Sequence, residues 1–399
     1  MTMNYATFAS TWIQAVQPIL DDAVSSKLCA GINVLIRQGG KEVAYMQAGY
    51  SDIEEKKPLR RDSIFRMWSM TKPITATAAM ILVQRGQLDL MDPVEKFLPG
   101  FKDGKVETPD GEVPVYRAVR VMDLLGMTAG VQYPLFGIGK AGLGAGEIVG
   151  MAEGAIRAGG GIPTVELMNR LGQYPLAFQP GTQFSYSMCA DVLAAVVEVV
   201  SGKRYSDFLQ EELFRPLGMK DTDFWVPQEK QDRFVTPYSW QEGELTPWSG
   251  LLFGVGEYSR RPDFEAGGAG LTSTVEDYAR FTQMLLGGGE LDGVRILTPA
   301  TVKFLTTPQL TEKPLKTLFH NLEGYSYGKL MRVCVDPGQV AGITSLGEYG
   351  WDGAMGTYFA NFPMEDMTMV CCQNVIGGDG GHVMRRIRNA VASVASKKE

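Results

Sequence analysis

The chain has 399 residues, a formal net charge of −7, and a composition that is 45% hydrophobic and 21% charged. These values are typical of a soluble globular protein with one large domain or two, and the acidic balance argues against a nucleic-acid-binding protein. No apolar run reaches the length of a membrane-spanning helix, and residues 1–10 lack the basic and apolar regions of a secretion signal, so we expect a cytoplasmic protein that does not bind a membrane.

The N-terminal part predicts a helix and a hairpin, followed by a second helix. Residues 7–28 have an amphipathic pattern, and apolar runs at 31–37 and 43–49 flank a pair of glycines. Residues 74–86 carry apolar side chains at helical spacing and end at a glycine, which predicts a buried helix.

The approach to that second helix contains a serine followed three positions later by a lysine, Ser69 and Lys72. Residues i and i+3 share one face of a helix, so the lysine amine would lie one turn from the serine hydroxyl. A serine is a weak nucleophile until a neighbouring base takes its proton, and a lysine does this only if its pKa falls from about 10.4. The apolar neighbours Phe65, Met67 and Trp68 would supply the dry surroundings that lower it.

A second copy of this pattern, Ser326 and Lys329, falls in a strand-like run, where residues i and i+3 face opposite sides. We therefore predict that Ser69, and not Ser326, is the nucleophile. The chain has only two histidines and no G-x-S-x-G sequence of the kind that marks many Ser-His-Asp hydrolases. The scarcity of histidine favours activation of the serine by a lysine.

The middle of the chain predicts helices and loops. Ten glycines fall within residues 137–161, which predicts a mobile flap or a pair of loosely packed helices. Gly137 begins a G-x-G-x-x-G match, but no apolar strand precedes it, so we do not expect a dinucleotide site. Residues 191–200 and 275–286 predict helices, whereas residues 227–262 are irregular and rich in aromatic residues, as in a segment that lines a pocket.

Strand-like runs return near the C-terminus, at residues 325–335, 358–362 and 367–373, and a last helix is expected at 381–396. Strands at both ends with helices between them predict an α+β fold, in which an antiparallel sheet from both termini is flanked by helices and interrupted by a helical insertion. The expected parts of this one catalytic unit are an N-terminal α/β part (1–75), a mainly helical insertion (76–265) and a C-terminal α/β part (266–399).

Several segments form a set with the Ser69 pattern. They are residues 65–72, 88–99, 178–181, 184–187, 214–222 and 267–271. Together they resemble the serine β-lactamase and penicillin-binding-protein superfamily, specifically its class C-like branch, which includes the family VIII carboxylesterases. The resemblance extends from about residue 10 to about residue 395. It implies a three-layer fold of the β-lactamase/transpeptidase type.

By this resemblance Ser69 is the acylated nucleophile, Lys72 is its proton partner, and Tyr186 matches the tyrosine of the family's Y-x-N element. A tyrosine beside a lysine could be held ionised or could relay a proton to the leaving group. Which of the two is the resting base stays open, because coupled groups share their protons. The alternative for Tyr186 is a core tyrosine bonded to the backbone.

The sequence departs from the family pattern at three places. Met188 replaces the asparagine of Y-x-N, and residues 127–130 replace the usual His-Thr-Ser-Gly. At the third element, normally Lys-Thr-Gly, the best match is Trp351, Asp352 and Gly353. Losing the lysine and gaining an aspartate disfavours an anionic substrate, and a tryptophan suits an apolar acyl or alcohol group. The alternative is that Trp351 belongs to the core and that Asp352 faces solvent.

The backbone after this element would contribute to catalysis. By alignment to the motif, the N–H of Ala354 and the N–H of Ser69 would form an oxyanion hole, in which each donor contributes about 3 kcal/mol.

The sequence therefore predicts a serine carboxylesterase that hydrolyses small-molecule esters with short-chain or aromatic groups through an acyl-enzyme. No metal is expected, because the five cysteines lack metal-ligand spacing, and no organic cofactor is implied. Three alternatives stay open: a β-lactamase or D-amino-acid peptidase, an acyltransferase with the same residues, and a non-catalytic binding protein on the same scaffold.

Overall fold

The computed structural model describes residues 5–135, 139–318, 322–378 and 381–395. Gly137, where the G-x-G-x-x-G match begins, lies outside the described residues. The helices are α1 Tyr5–Ser25, α2 Thr71–Gln84, α3 Val121–Leu125, α4 Gly139–Arg157, α5 Thr164–Leu171, α6 Cys189–Ser201, α7 Tyr205–Leu209, α8 Arg215–Leu217, α9 Val275–Leu286, α10 Pro299–Leu305, α11 Glu312–Leu315 and α12 His382–Val394. Among them, none is long and apolar enough to cross a membrane.

The strands divide between one large sheet and several short pairs. They are β1 Gly31–Gln38, β2 Lys41–Asp52, β3 Lys57–Pro58, β4 Phe65–Arg66, β5 Lys105–Thr108, β6 Gly111–Pro114, β7 Tyr238–Gln241, β8 Glu244–Pro247, β9 Thr272–Ser273, β10 Glu290–Leu291, β11 Val294–Arg295, β12 Tyr325–Tyr327, β13 Arg332–Cys334, β14 Tyr349–Asp352, β15 Tyr358–Phe362, β16 Met367–Cys372 and β17 Val375–Ile376.

The large sheet has the order β12-β13-β14-β15-β16-β1-β2-β3, and neighbouring strands are antiparallel. Strands from the two ends of the chain meet where β1 pairs with β16, with Leu35 opposite Val370. This confirms the predicted antiparallel sheet built from both termini. The boundaries at residues 75 and 265 stay a prediction.

Helices cover both faces of the sheet. The apolar run of β1 is buried on both sides, so alternate side chains enter different cores: Leu35 joins one, Val34 and Ile36 the other. On the second side α1 packs against α12, and the Trp12 indole N–H donates to the Val391 carbonyl oxygen at 3.1 Å. On the first side α9 packs on β1, β15 and β16 and joins the core of the helical region. The three-layer α+β architecture is confirmed.

Where it is described, the glycine-rich segment is one helix, α4, followed by a turn at residues 158–159, and not the predicted pair of helices. Glycine is unfavourable within a helix, because it loses more backbone freedom than other residues. Here it permits close packing, since a Cβ at Gly144 would collide with the Tyr174 side chain. The segment 227–262 is also more ordered than expected, because it contains the β7–β8 hairpin.

Candidate active site

Ser69 lies in a single turn of 3-10 helix, Trp68–Met70, directly before α2. Trp68 has a φ of 48°, which is a strained conformation for a bulky residue. The turn is held by neighbouring elements: the N–H of Met67 donates to the Leu271 carbonyl at 2.8 Å, and the Tyr278 hydroxyl donates to the Met70 carbonyl at 2.7 Å. The two residues beside Ser69 are fully buried, whereas Ser69 itself is partly exposed, so its hydroxyl is accessible from one side.

Lys72 is fully buried one turn further on. Its amine donates to the Ser69 Oγ at 3.0 Å, to the Gly268 carbonyl oxygen at 2.7 Å and to the Tyr133 hydroxyl at 3.2 Å. Burial lowers the pKa of Lys72 to about 7, because the charged form loses its water. A substantial fraction of this lysine is therefore neutral at pH 7 and can accept a proton.

Tyr186 approaches the serine from a different segment. Its hydroxyl donates to the Ser69 Oγ at 2.7 Å, and the Trp351 indole N–H donates to the Tyr186 hydroxyl at 3.3 Å. Burial raises the pKa of Tyr186 well above its usual value of 10, so that it stays a phenol at neutral pH. The structure thus brings all three predicted side chains together at one oxygen atom.

Two residues at this site were not identified from the sequence, Tyr133 and Asp191. Asp191 is buried on α6; its Oδ1 accepts the Gly268 N–H at 2.8 Å, and its carboxylate also accepts a hydrogen bond from the Tyr133 hydroxyl. Burial raises the pKa of Asp191 to about 6, while its charge opposes the lowering of the Lys72 pKa. One feature of the sequence could have identified Asp191: it is a carboxylate within the otherwise apolar run 190–197, and a buried carboxylate needs a polar partner.

The predicted oxyanion hole lies where the end of β14 meets the segment before Ser69. The Gly353 N–H donates to the Thr357 carbonyl at 2.8 Å, and the Thr357 hydroxyl donates to the Met67 carbonyl at 3.0 Å. A Cβ at Gly353 would lie 2.5 Å from that Met67 oxygen, so only glycine fits here. Among the described residues, the N–H groups of Ser69 and Ala354 donate to no protein acceptor, and their role in an oxyanion hole stays a prediction.

Trp351 and Asp352 face opposite sides of β14, as neighbouring residues of a strand do. The Trp351 ring is buried beside Tyr186, with ring centroids 5.6 Å apart. The Asp352 side chain is 63% exposed, and its carboxylate lies 3.6 Å from Arg332. The structure therefore brings Trp351 to the side of the serine and leaves Asp352 on the other side of the sheet.

Aromatic side chains from the segment 227–262 border this site. The Trp248 ring lies 6.1 Å from the Trp68 ring, and the Phe253 ring lies 4.7 Å from the Tyr133 ring. The apolar border suits a neutral organic substrate. Across the described ranges, no cluster of three or more His, Cys, Asp or Glu side chains could hold a metal ion.

The second serine-lysine pattern does not assemble in the same way. The Lys329 amine donates to the Thr307 carbonyl at 3.1 Å, and the buried Ser326 hydroxyl has no partner in the part of the chain that the structure describes.

Comparisons with known proteins agree with this geometry. "Protein Rv1367c" of Mycobacterium tuberculosis (strain ATCC 25618 / H37Rv) is 32% identical over 365 residues, 89% of this chain and 88% of the relative. "Esterase EstB" of Burkholderia gladioli is 26% identical over 403 residues, 96% of each chain. The solved structure titled "EstCE1, a hydrolase with promiscuous acyltransferase activity" superposes with a TM-score of 0.82 at 26% identity, covering 96% of this chain and 99% of the other.

The family model described as Beta-lactamase matches residues 16–392, which include every side chain of the site. The Ser69 pattern, the antiparallel sheet and this match across the chain therefore lead to one conclusion: the chain belongs to the Beta-lactamase family.

Proposed function

We propose that this protein is a serine carboxylesterase that hydrolyses short-chain or aromatic esters through an acyl-enzyme on Ser69. The observation that carries the proposal is the position of the Ser69 Oγ, 3.0 Å from the Lys72 amine and 2.7 Å from the Tyr186 hydroxyl. A nucleophile within hydrogen-bond reach of a base is the geometry that covalent catalysis requires. The esterase and hydrolase relatives support the choice of ester substrates.

Lys72 is the resting base in this mechanism, because burial lowers its pKa to about 7 while burial raises that of Tyr186. The neutral amine takes the proton of Ser69 as the Oγ bonds to the ester carbonyl carbon. The carbonyl oxygen becomes an oxyanion and is stabilised by the N–H groups of Ser69 and Ala354. The carbon–oxygen bond to the alcohol then breaks.

Tyr186 acts as the acid for the departing alcohol. Its phenol gives a proton to the alkoxide, and the Lys72 ammonium restores the phenol, which leaves both residues as they began. A water molecule then attacks the acyl-enzyme, loses its proton to the same pair and releases the carboxylic acid, while Ser69 regains its proton. Trp351 donates a hydrogen bond to the Tyr186 hydroxyl and so orients it toward the reacting atoms.

Acyl transfer to an alcohol is the second candidate activity, because the EstCE1 title names promiscuous acyltransferase activity for that hydrolase. The same acyl-enzyme would be released by an alcohol instead of water. The β-lactamase and peptidase alternatives are disfavoured because Trp351 stands where these enzymes have the lysine that binds a substrate carboxylate. The five cysteines are all free and buried, which supports the proposal of a reducing, cytoplasmic location.

The test measures turnover of p-nitrophenyl butyrate and of a chromogenic cephalosporin by wild type, Ser69→Ala and Ser326→Ala. Ser326 is the matched control, because it has the same spacing to a lysine but its hydroxyl has no hydrogen-bond partner among the described residues. We expect ester hydrolysis in wild type and Ser326→Ala, its loss in Ser69→Ala, and little cephalosporin turnover. Ester hydrolysis that survives in Ser69→Ala would exclude the mechanism, and fast cephalosporin turnover would favour a lactamase. Adding an alcohol and measuring the ratio of new ester to free acid separates transfer from hydrolysis.

A further inference from the structure

The segment that follows β14, residues 353–357, contains the Ala354 N–H that is predicted to bind the oxyanion. This segment is a tight turn: the Gly353 N–H donates to the Thr357 carbonyl at 2.8 Å, and the Gly356 N–H donates to the Gly353 carbonyl at 2.9 Å. Gly356 has a φ of 87°, a left-handed conformation that glycine adopts without strain. The turn therefore holds its own shape by backbone hydrogen bonds.

One side of this turn borders open space. Ala354 and Gly356 line a cleft of about 730 Å³. On another side, Met355 is fully buried, and its carbonyl accepts the Val375 N–H at 3.0 Å. That bond fixes the turn to the C-terminal part of the chain and not to the segment that carries Ser69. The spacing between the turn and Ser69 therefore depends on the contacts that join the two segments directly.

In the described part of the chain, a single hydrogen bond makes this connection. The Thr357 hydroxyl donates to the Met67 carbonyl at 3.0 Å. Among the described residues, no other hydrogen bond links residues 353–357 to residues 65–70. Thr357 is fully buried, so its hydroxyl is closed to bulk water. Losing this bond would leave the two segments without a polar contact between them.

The acceptor of this bond also belongs to the turn that carries Ser69. The Met67 carbonyl accepts the Met70 N–H at 3.1 Å, and this bond closes the 3-10 turn around the serine. One oxygen atom thus receives both the bond that shapes the serine turn and the bond from Thr357. The two segments are in close contact here, because a Cβ at Gly353 would lie 2.1 Å from the Thr357 Oγ1 and 2.5 Å from the Met67 oxygen.

The spacing of the two segments determines the shape of the proposed oxyanion hole. Its donors, the N–H groups of Ser69 and Ala354, must both lie about 3 Å from the same oxygen atom. A misplacement of about 1 Å can lower the rate of a reaction by about 10²-fold. We propose that Thr357 is a positioning residue whose hydroxyl sets the distance between these two N–H groups. This inference rests on the proposed esterase function.

The experiment removes the hydroxyl in two matched pairs and measures kcat and KM for p-nitrophenyl butyrate. Wild type is compared with Thr357→Val, and Thr357→Ser is compared with Thr357→Ala, so one member of each pair keeps the hydroxyl. Acylation and deacylation both pass through an oxyanion, so a misplaced donor should slow both steps and lower kcat while KM stays near its wild-type value. We expect kcat to fall by about 10-fold or more in the valine and alanine variants, and by less than about threefold in the serine variant. The pH midpoint of activity should stay that of wild type, because the base is not changed.

Thr77→Val is the control, because Thr77 is also fully buried and its hydroxyl also donates to a backbone carbonyl, that of Pro73, at 2.9 Å. This variant should keep the wild-type kcat. If it loses as much kcat as Thr357→Val, the loss is a general effect of removing a buried hydroxyl, and the inference is overturned.

Four other results would overturn the inference and leave the esterase intact. These are a normal kcat in folded Thr357→Val and Thr357→Ala, a raised KM at unchanged kcat, a pH midpoint that moves with kcat, and a Thr357→Ser variant no better than Thr357→Ala. If neither hydroxyl-free variant folds, the hydroxyl serves stability and the inference also fails. A wild type that does not hydrolyse the ester, or hydrolysis that survives in Ser69→Ala, would instead refute the proposed function.

Discussion

Replacing Asp191 with asparagine should move the pH dependence of the enzyme downward. The Asp191 carboxylate and the Lys72 amine both bond to Tyr133 and to the backbone of Gly268, so their charges interact closely. The negative charge of Asp191 favours the ammonium form of Lys72 and partly offsets the effect of burial on the Lys72 pKa. Asparagine removes the charge and keeps an oxygen for the Gly268 N–H, so the Lys72 pKa should fall further below about 7.

The magnitude follows from the geometry. The Lys72 amine is 3.2 Å from the Tyr133 hydroxyl, which in turn bonds to Asp191. Two hydrogen bonds in series limit the separation of the charges to about 6 Å. At that separation, an effective dielectric constant of about 20 gives about 3 kcal/mol, or roughly two pKa units. Since the Asp191 pKa is about 6, the carboxylate is mostly ionised at pH 7, and removing its charge should lower the Lys72 pKa at that pH.

The assay is the pH profile of kcat/KM for p-nitrophenyl butyrate. In wild type the activity should rise with pH as Lys72 loses its proton, with a midpoint near 7. In Asp191→Asn the rise should begin about one to two pH units lower, so that a larger share of maximal activity is retained at pH 6. The other groups whose charges act on Lys72 are Asp352 and Cys189, and burial keeps Cys189 a thiol.

Asp352→Asn is the control, because that carboxylate also favours the Lys72 ammonium but is 63% exposed and therefore screened by water and salt. Its profile should move less than that of Asp191→Asn. A folded Asp191→Asn variant with an unchanged or higher midpoint would refute the assignment of Lys72 as the base under the influence of Asp191. Thermal unfolding of each variant shows whether lost activity reflects lost structure.

Two further predictions concern the acid and the oxyanion hole. Tyr186→Phe keeps the ring beside Trp351 but removes the proton donor, so kcat for an alkyl butyrate should fall by about 10²–10⁴. The kcat for p-nitrophenyl butyrate should fall by less, because its leaving group needs no acid. Equal losses for both esters would contradict the role of Tyr186 as the acid. Gly353→Ala would push a Cβ against the Met67 carbonyl and displace Ala354, so kcat should fall by about 10²–10³. The control is Gly150→Ala on α4, where the added Cβ meets nothing within 4 Å, and this variant should keep the wild-type kcat. A Gly353→Ala variant with normal kcat would exclude Ala354 from the oxyanion hole.

Local sequence patterns were sufficient for the framework of the fold. The helix expected at residues 74–86 is α2, and the final helix expected at 381–396 is α12, because apolar spacing alone defines a buried helix face. The expected strand at 325–335 is instead two strands, β12 and β13, joined by a turn in which Leu330 has a φ of 57°. Gly328 in that run is a turn signal that the prediction did not use, although the residue with positive φ is Leu330, two positions later.

The site was only partly predictable, because some of its members have no local pattern. Tyr133 follows a short helix and Asp191 lies in an apolar one, and only the tertiary fold brings them to the Lys72 amine. Phe253 likewise lies in a segment predicted as irregular, where two hydrogen bonds in fact define a turn. Such residues can be identified once their burial and contacts are known, since a buried carboxylate needs a hydrogen-bond or charged partner.

The two serine-lysine patterns show why spacing alone cannot identify the chemistry. In each pair the lysine is buried and burial lowers its pKa, to about 7 at Lys72 and to about 8 at Lys329. Both amines also donate to a backbone carbonyl. Of the two patterns, only the one on a helical turn places the lysine amine within hydrogen-bond distance of its serine, Ser69. Ser69 is also partly exposed, whereas Ser326 is a buried strand residue. A neutral lysine becomes a catalytic base when its serine is within hydrogen-bond reach and open to substrate, and only Ser69 meets both conditions.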